Sequence, residues 1–508
     1  MIFLGSVSGI QDYVFDLPAT GGGQARMLRS RSARVQIIVE CAAQSILLQA
    51  QGSPAGQSLL CAAGKFALSL PDVAKESANA VAAEIQRWVF SATGGRLRFS
   101  FATGHGAKAA AAYIDALQHL AKEKYSPFRH SACPGGTWQS GALCIPETTG
   151  WGKAEEDRAF GRILSESDYI FFSPTNGASR GPRSVTNLPG FDASAGIAAT
   201  RPAEAAAFCR LNPDLPPLPG LVEFQSPLAW VPRESNGRPL EFSEIAARST
   251  GAPMLGVLKA DVDGLGSAVR RLLGGADDLR PLVALSARLN DFFTRGLRKR
   301  LETQWQSIYC VFAGGDDMLV VGPWSAMLPF AGEISRAFSS AFQDQRLTLS
   351  AGLAIGRYSR PIRSLAAEAE DALHLAKTVA APGSPVAKDQ ICAFGEIWKW
   401  KDHASLLRSA DSLFGWVRDG HVTRASVRGV FDLVSPANRS KPEFLAMAPA
   451  RLAYHIARNF KSDTPHRQWA ERVARGLGQN DQKNLDSTHI KTVLRYAMLA
   501  SRQRGESE

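Results

Sequence analysis

Apolar residues recur at helical spacing in two long segments of the chain, residues 32–50 and 282–298. A short apolar strand that runs into a glycine turn precedes each segment. Two further apolar stretches, separated by a glycine-containing bend, follow each segment and predict a β-hairpin. A strand and a second helix complete each set. The pattern therefore predicts the order strand, helix, hairpin, strand, helix twice.

Four landmarks of this order are similar in the two halves of the chain, which indicates an internal duplication. They are a strand with a glycine turn (4–10 and 259–265), a hairpin (60–68 and 311–319), a strand that carries a serine (97–102 and 347–352) and a helix (115–122 and 371–377). Alternating elements of this kind bury their apolar faces by packing helices on a sheet. We therefore predict an α+β fold with two ferredoxin-like palm domains packed as a pseudo-dimer.

The rest of the chain divides by its composition. Residues 130–245 contain many Pro and Gly and show no clear periodicity, which indicates an intermediate insertion domain with short strands. From residue 396 onward, apolar residues at helical spacing indicate an all-helical C-terminal domain. A chain of 508 residues is too long for one hydrophobic core. We predict a first palm at 1–129, the insertion at 130–245, a second palm at 246–395 and the helical domain at 396–508.

The composition is that of a folded, soluble protein, with 45% hydrophobic and 21% charged residues. No stretch reaches the roughly 18 apolar residues that a membrane span needs, and the N-terminus lacks a signal-peptide pattern. We therefore expect a cytoplasmic protein without a membrane partner. The cysteines form no CxxC pair, which predicts reduced, buried thiols and no structural zinc. They are Cys41, Cys61, Cys133, Cys144, Cys209, Cys310 and Cys392.

Acidic residues stand at two turns of the second repeat. Asp261 and Asp263 follow the apolar run 254–258, and Asp316 and Asp317 occupy the bend of the hairpin. If the strands that carry these turns are neighbours, the carboxylates converge, and their mutual repulsion requires a cation. Carboxylate oxygens select Mg²⁺ or Mn²⁺, which usually keep phosphate oxygens as further ligands. The predicted occupant is a metal complex of a nucleoside triphosphate.

This constellation predicts two-metal nucleotidyl transfer, in which one ion activates a hydroxyl and the other steadies the leaving pyrophosphate. The predicted catalytic residues are Asp261, Asp316 and Asp317. The predicted metal ligands are these three aspartates, Asp263 and the main-chain carbonyl of Val262. An isolated DxD pair would be a weak signal. The combination of both acidic turns is what favours a metal site.

Four further residues of the second repeat are predicted to bind the nucleotide. Gly314 and Gly315 lack a β-carbon, so their main-chain amides can approach phosphate or ribose. Lys377 either neutralises the triphosphate as a point charge or is a solvated helix lysine. Ser350 either hydrogen-bonds a base edge or ribose or is satisfied within its own sheet.

The first repeat lacks these acids and has Ser6, Ser8 and Lys65 at the corresponding positions. It therefore cannot form the same metal site. Ser8, Gly64 and Lys65 are predicted to bind a second, acceptor nucleotide, with the lysine against phosphate and the serine as a hydrogen-bonding group. The alternative is a purely structural pseudo-subunit.

A glycine-rich stretch at 21–23 precedes four arginines, Arg26, Arg29, Arg31 and Arg34. Guanidinium groups bind phosphates through charge-assisted hydrogen bonds. The segment is therefore predicted either to contact phosphate or an RNA backbone, or to form a solvated charged face.

Several motifs resemble those of the large, polymerase-like subunit of type III CRISPR effector complexes in its Csm-type form. In the first repeat they are Gly5-Ser6-Val7-Ser8-Gly9-Ile10-Gln11-Asp12, Met27-Leu28-Arg29-Ser30-Arg31-Ser32 and Gly64-Lys65-Phe66. In the second repeat they are Asp261-Val262-Asp263-Gly264-Leu265-Gly266, Gly314-Gly315-Asp316-Asp317 and Ser350-Ala351-Gly352. Leu452-Ala453-Tyr454-His455-Ile456-Ala457-Arg458-Asn459 resembles the family's terminal helical domain. The combination is specific, whereas the Gly-Gly-Asp-Asp turn alone is not.

The resemblance implies palms of the nucleotide cyclase and polymerase type, which synthesise cyclic oligoadenylates from ATP when a guide RNA (crRNA) complex captures target RNA. It implies guide RNA, target RNA and other type III subunits as partners, the subunits docking on the palm and helical domains. The chain begins directly at the first palm, without the family's HD nuclease domain, and only Cys133 and Cys144 lie where the family often has a four-cysteine zinc site. We therefore expect neither HD-type DNA cleavage nor structural zinc.

Two other functions remain open on the sequence alone. GGDEF-type cyclases share the hairpin and the metal chemistry, so a cyclic dinucleotide synthase is the nearest alternative. A non-catalytic scaffold that binds guide RNA and partner subunits is an answer of a different class, and it predicts no release of pyrophosphate.

Overall fold

In the computed structural model the chain folds into two compact units. The first comprises Met1–Glu241 and Leu265–Met318, and the second comprises Phe242–Gly264 and Leu319–Glu508. The described residues are 1–18, 23–51, 58–62, 64–125, 154–174, 184–188, 191–211, 214–224, 230–434, 442–479 and 488–502. Cys133 and Cys144, on which the zinc expectation depends, lie outside these ranges. The predicted second palm, residues 246–395, is divided between the two units.

The first unit begins with a four-stranded antiparallel sheet. Its strands are β1 (Ile2–Ser8), β2 (Ser58–Ala62), β3 (Lys65–Ser69) and β4 (Arg98–Gly104), in the order β2-β3-β1-β4. The helices around it are Ile10–Phe15, Gln24–Gln51, Lys75–Ala92 and Ala109–Lys124. The α+β class and the palm-type fold are thus confirmed, and the pseudo-dimer packing of the two palms stays a prediction.

The sequence-based element order omitted one helix in each repeat. Lys75–Ala92 lies between the hairpin and β4, and Trp324–Ala341 lies at the corresponding place in the second repeat. The buried residues Ala78, Val81 and Ile85 of the first of these helices recur at helical spacing, so the sequence contained the signal. With this helix, each repeat has the full β-α-β-β-α-β order of a ferredoxin-like fold.

A second sheet of the first unit lies in the predicted insertion. Its strands are β5 (Tyr169–Pro174), β6 (Ser184–Leu188), β7 (Phe191–Gly196), β8 (Ala207–Arg210) and β9 (Val222–Glu223), in the order β6-β7-β5-β8-β9. Tyr169, Phe171 and Phe208 form its aromatic core. Helix Ala154–Ser165 precedes the sheet. The unit also contains helices Leu265–Leu273, Arg280–Asp291 and Leu297–Thr303, the π-helical turn Phe292–Gly296 and strand β11 (Tyr309–Gly314).

Three of the four arginines of the first repeat, Arg29, Arg31 and Arg34, are buried inside the first unit, which contradicts both expectations for them. They lie on helix Gln24–Gln51, which begins earlier than the predicted 32–50. Arg31 Nε and Arg34 Nη1 contact the two oxygens of the fully buried Asp157 at 2.7 and 2.5 Å. Arg29 is 4% exposed and donates to the Gly161 carbonyl at 2.8 Å. Arg26, the most exposed of the four, pairs with Glu241.

The second unit is built on a sheet that continues the predicted second palm. Its strands run in the order β12-β10-β13-β14-β15. They are β10 (Met254–Asp263), β12 (Asp317–Pro323), β13 (Thr348–Arg357), β14 (Gln390–Ala393) and β15 (Glu396–Lys399). β10 and β13 are antiparallel, and β14 lies parallel to β13. Helices Phe242–Ala247, Trp324–Ala341 and Ile362–Thr378 accompany the sheet.

Helices form the end of the second unit, and they begin later than predicted. Residues 396–399 form strand β15 instead of starting the helical domain, because they pair with β14. The helices are Trp400–Arg418, Arg424–Val434, Pro442–Asn459, Pro465–Gln479 and Ile490–Ala500. None of the helices in the described part of the chain is long and apolar enough to cross a membrane. Cys41, Cys61, Cys209, Cys310 and Cys392 are buried free thiols, as predicted.

His403 is a buried, neutral histidine in the second unit. Its side chain lies against Trp398, whose Nε1 donates to His403 Nδ1 at 3.0 Å. Because an indole nitrogen only donates, Nε2 of His403 carries the proton and donates to the Leu328 carbonyl. Burial lowers the pKa of His403 from 6.5 to about 4. The folded protein therefore disfavours the charged imidazolium at this position.

We expect the protein to lose stability as the pH falls from about 6.5 to about 4. The folded-state pKa of His403 lies below its unfolded-state value, so the stabilisation is complete above pH 6.5 and is lost as the pH falls through the folded value. The difference corresponds to roughly 3 kcal/mol. Thermal melts across this range measure the loss. Burial also lowers the pKa of His489 to about 4, so His403→Gln should reduce the pH dependence without abolishing it. An unchanged dependence in that variant would contradict the assignment.

Candidate functional site

Asp261 and Asp263 lie near the end of β10, two residues apart and therefore on the same face of the sheet. The register of β10 with β13 places Asp261 opposite Ser350 and Asp263 opposite Thr348. Val262 lies between the aspartates with its side chain buried. Only its main chain is therefore available to a ligand on the aspartate face.

Asp263 is the most constrained of the predicted site residues. It is 5% exposed. Its Oδ2 accepts hydrogen bonds from Ser350 Oγ at 2.8 Å, from Thr348 Oγ1 at 3.0 Å and from the main-chain N–H of Asp389 at 3.0 Å. Its Oδ1 is buried and has no hydrogen-bond partner among the residues that the structure describes. A buried carboxylate oxygen without a donor is costly unless a cation satisfies it. The donor set and this oxygen therefore fit a hard divalent cation.

Ser350 occupies one of the two places predicted for it, within its own sheet. Its side chain is fully buried, and its hydroxyl donates to Asp263. Of the two alternatives, a serine satisfied within its own sheet fits this geometry, and a hydroxyl exposed to a base or ribose does not. Ser350 thus acts by orienting the Asp263 carboxylate.

Lys377 forms an ion pair with Asp261 Oδ1 and is not a solvated helix lysine. It lies in the last turn of helix Ile362–Thr378. About two turns earlier in the same helix, Glu370 pairs with Lys259 of β10. These two pairs fix the helix along the strand that carries the aspartates. A cationic group therefore stands beside the Asp261 carboxylate.

The Gly-Gly-Asp-Asp turn joins β11 to β12 along the chain. Gly315 has φ 64°, a left-handed conformation that favours glycine. Asp316 and Asp317 are half-buried. Within the described ranges, no group of three or more His, Cys, Asp and Glu side chains is arranged around a common centre for a metal ion. The convergence of these acids with Asp261 and Asp263 therefore stays a prediction.

The first palm repeats the register of the second without its acids. Ser6 lies opposite Ser100, as Asp261 lies opposite Ser350. Ser6 is fully buried and its hydroxyl has no hydrogen-bond partner. Gly64 has φ 76° at the hairpin bend, and Lys65 is exposed directly after it.

Positive charge gathers at this hairpin of the first palm. Partial desolvation, followed by the positive charge of Lys65, lowers the pKa of Lys124. Lys65, at the bend, and Lys124, at the end of helix Ala109–Lys124, therefore bring two positive charges near each other, which suits an anionic ligand. The roles of Ser8, Gly64 and Lys65 in binding a nucleotide stay predictions.

Sequence reasoning missed three residues that act on Asp263. Thr348 shares a strand face with Ser350, so the period of two along β13 was a usable signal. Asp389 acts through its main-chain N–H, and Lys399 donates to the main-chain carbonyl of Lys388 next to it. Main-chain donors depend on conformation and not on residue type, so no sequence pattern pointed to them.

Comparison with known families identifies both repeats. The family model "Csm1 subunit domain B" matches residues 1–130, and the model "Cas10/Cmr2, second palm domain" matches residues 254–389. Together they account for just over half of the 508 residues. The second match contains Asp261, Asp263, the Gly-Gly-Asp-Asp turn, Ser350 and Lys377.

Curated relatives carry the description "CRISPR system single-strand-specific deoxyribonuclease Cas10/Csm1 (subtype III-A)". The protein of Mycobacterium tuberculosis is 26% identical over 289 residues, which is 53% of this chain and 34% of the relative. That of Thermococcus onnurineus is 30% identical over 165 residues, 29% of this chain and 20% of the relative. The matched segments thus span about a third of the relatives' own lengths or less.

Solved structures share the fold over almost the whole chain. The Csm1–Csm4 subcomplex of a type III-A CRISPR–Csm interference complex aligns with a TM-score of 0.73 and 18% identity, covering 99% of this chain and 70% of that one. A Csm1–Csm4 cassette in complex with one ATP gives the same TM-score and identity, and a cassette in complex with cA4 gives 0.70. This chain therefore belongs to the Csm-type Cas10 family, the large subunits of type III CRISPR effector complexes.

Proposed function

We propose that this chain is the nucleotidyltransferase subunit of a type III CRISPR antiviral effector complex. It converts ATP to cyclic oligoadenylates, with Mg²⁺-dependent release of pyrophosphate, when target RNA is bound. The observation that carries the proposal is the Asp261–Asp263 pair on β10, in which a buried Asp263 oxygen has no hydrogen-bond partner within the described ranges. Family membership and relatives solved with ATP and with cA4 support it.

Asp261 and Asp263 are proposed to hold Mg²⁺ or Mn²⁺ together with Asp316, Asp317 and the Val262 carbonyl. Bound there, the metal supplies Lewis-acid stabilisation of the phosphoryl oxygens and activation of the attacking hydroxyl. Three donors fix the orientation of the Asp263 carboxylate. The carboxylate therefore does not have to rotate when the metal binds.

Substrate contacts are proposed for the residues beside these acids. Lys377, already next to Asp261, offers its ammonium to the triphosphate as a point charge. Gly314 and Gly315 admit phosphate or ribose close to the main chain, since a side chain there would block the approach. Ser350 contributes by holding Asp263.

The first palm is proposed to bind the acceptor ATP. Ser8, Gly64 and Lys65 lie at its hairpin and at the end of β1, and the exposed Lys65 faces no acid of the Asp261 type in its own register. A bound triphosphate would neutralise the charge that Lys65 and Lys124 share.

Guide RNA, target RNA and other type III subunits are the proposed partners, and the cytoplasm is the proposed location. The subunits are proposed to dock on the palms and on the C-terminal helices. The solved relatives are Csm1–Csm4 assemblies, which supports a subunit of the Csm4 kind as one of them. The domain division 1–129, 130–245, 246–395 and 396–508 is retained as a proposal, with the helices starting at Trp400.

The assembled complex should be incubated with labelled ATP, Mg²⁺ and an RNA complementary to the guide. We expect pyrophosphate and cyclic oligoadenylates, identified by mass spectrometry, and no product without the target RNA. Cyclic dinucleotides from ATP or GTP would instead identify a GGDEF-type synthase. Absence of pyrophosphate under all conditions would identify a scaffold. Either result would overturn the proposed function.

A further inference from the structure

Two consecutive residues before β14, Lys388 and Asp389, adopt a left-handed main-chain conformation. Their φ angles are 73° and 51°. Residues other than glycine rarely occupy this region, and two in succession are unusual. Such conformations persist only where the surrounding structure imposes them, and they are often found at functional sites. The contacts of this turn are therefore informative.

The turn is clamped from two sides by described residues of the second unit. Lys399, at the end of β15, donates from Nζ to the Lys388 carbonyl at 2.5 Å. The main-chain N–H of Lys388 donates to the Ala376 carbonyl, in the last turn of the helix that carries Lys377. Gln390, the next residue, is fully buried, and its Nε2 donates to the same Ala376 carbonyl at 2.7 Å.

The clamped turn places one main-chain donor on Asp263. The N–H of Asp389 reaches Asp263 Oδ2 at 3.0 Å. With the Ser350 and Thr348 hydroxyls, this donor gives Oδ2 three hydrogen bonds, while Oδ1, in a side chain that is 95% buried, has none. Rotation of the Asp263 carboxylate would break these three hydrogen bonds to Oδ2. The unpartnered Oδ1 therefore keeps one direction.

We propose that the left-handed Lys388–Asp389 turn, held by Lys399 and Gln390, is a positioning device that fixes the Asp263 carboxylate so that its Oδ1 remains directed at a divalent cation. The inference rests on the proposed function for the identity of the metal site. Lys399 is a positioning residue, because it acts on Asp263 through its hydrogen bond to the Lys388 carbonyl. The Lys388 N–H also binds the carbonyl of Ala376, the residue before Lys377. The turn therefore contacts both Lys399 and the end of the helix that carries Lys377.

The test measures binding of Mn²⁺ to the full chain by electron paramagnetic resonance, without nucleotide. Asp263→Asn defines the part of the binding that belongs to this site. Lys399→Met removes the donor to Lys388 but keeps a long, unbranched side chain, and it also removes a positive charge that acts on Asp263 and by itself would favour a cation. We expect the lost positioning to outweigh this charge effect and to give roughly 10-fold weaker Mn²⁺ binding, the scale seen when a group that supports a metal ligand is lost. Lys399→Arg keeps a cationic donor and should restore most of the affinity.

Lys401→Met is the matched control, because it removes a lysine of the same charge two residues away, on the exposed start of helix Trp400–Arg418. It should bind Mn²⁺ like the unchanged chain. Melting temperatures establish that each variant is folded, and Lys399→Gln replaces Lys399→Met if the latter is not. In the assembled complex, Lys399→Met should raise the Mg²⁺ concentration needed for half-maximal ATP conversion and leave the KM for ATP at saturating Mg²⁺ unchanged.

The outcomes separate this inference from the proposed function. If Asp263→Asn weakens Mn²⁺ binding and Lys399→Met binds like Lys401→Met, the positioning role is wrong and the metal site stands. If Lys399→Arg is as weak as Lys399→Met, the hydrogen bond to Lys388 is not what matters, and the positioning role is again overturned. If Asp263→Asn leaves Mn²⁺ binding unchanged, the metal site itself is wrong. If binding weakens as expected but no nucleotide is joined, the inference stands and the proposed function fails.

Discussion

Replacing Asp316 and Asp317 together by alanine is expected to lower ATP conversion by at least about 100-fold, because the change removes proposed ligands of the cations that stabilise charge in the transition state. Both residues are half-buried at a turn, so the loss of core volume is small and assembly with partner subunits should be preserved. The measurement is the rate of pyrophosphate release by the purified complex, with subunit composition checked in parallel.

A matched control exists elsewhere in the chain. Asp277 and Asp278 are a second adjacent pair of aspartates, at the start of the helix that begins with Arg280. Asp277 pairs with Lys108, and Asp278 pairs with Arg280. Replacing both by alanine removes the same number of carboxylates without touching the proposed site, and it should leave the rate unchanged. Full activity in the Asp316→Ala, Asp317→Ala double variant would refute the site.

Replacing Asp157 by asparagine is expected to destabilise the folded chain by about 3–5 kcal/mol, the scale of breaking a buried ion pair. Asp157 is fully buried and neutralises Arg31 and Arg34, which are 1% and 5% exposed. The variant leaves two guanidinium groups without the Asp157 charge, and it replaces one of the two acceptor oxygens that bind Ser30 Oγ, Arg31 Nε and Arg34 Nη1 by an NH₂ donor. Chemical denaturation, followed by a probe in the first unit, measures the loss.

Glu234→Gln is the control for this prediction within the same unit. Glu234 pairs with Arg238 four residues later, and both side chains are at least a third exposed. Solvent screens such a pair, so its loss should change stability by no more than about 1 kcal/mol. Equal stability changes in the two variants would show that the buried network does not hold helix Ala154–Ser165 against helix Gln24–Gln51.

The Asp157 prediction also bears on how basic residues are interpreted. Four arginines after a glycine-rich stretch were expected to face phosphate or water. Arg31 instead forms a buried ion pair with Asp157, which is more than 120 positions away in the sequence. A motif shared with a family can therefore serve the fold of the palm and not its ligand.

Several features of this protein can be predicted from local patterns of residues. The duplication, the α+β class, the strand before Asp261 and the glycine at each hairpin bend all follow from periodicity over a few residues, which short-range sterics and burial translate directly into structure. Even the helix Lys75–Ala92, which was overlooked, carried its signal in the spacing of Ala78, Val81 and Ile85. The sequence placed Lys377 at the predicted site as a positive charge, but it did not predict the ion pair with Asp261.

The contacts between distant side chains could not be predicted in this way and became visible in the folded chain. The Ser350 hydroxyl and the N–H of Asp389 both donate to the Asp263 carboxylate, although Asp389 lies more than 120 residues later in the chain. Arg31 and Arg34 contact the distant Asp157. These contacts join segments far apart in the chain, and their energies come from desolvation and from donors whose direction is set by main-chain conformation. Neither quantity is a property of a short stretch of sequence, so the fold had to place the residues before their roles could be assigned.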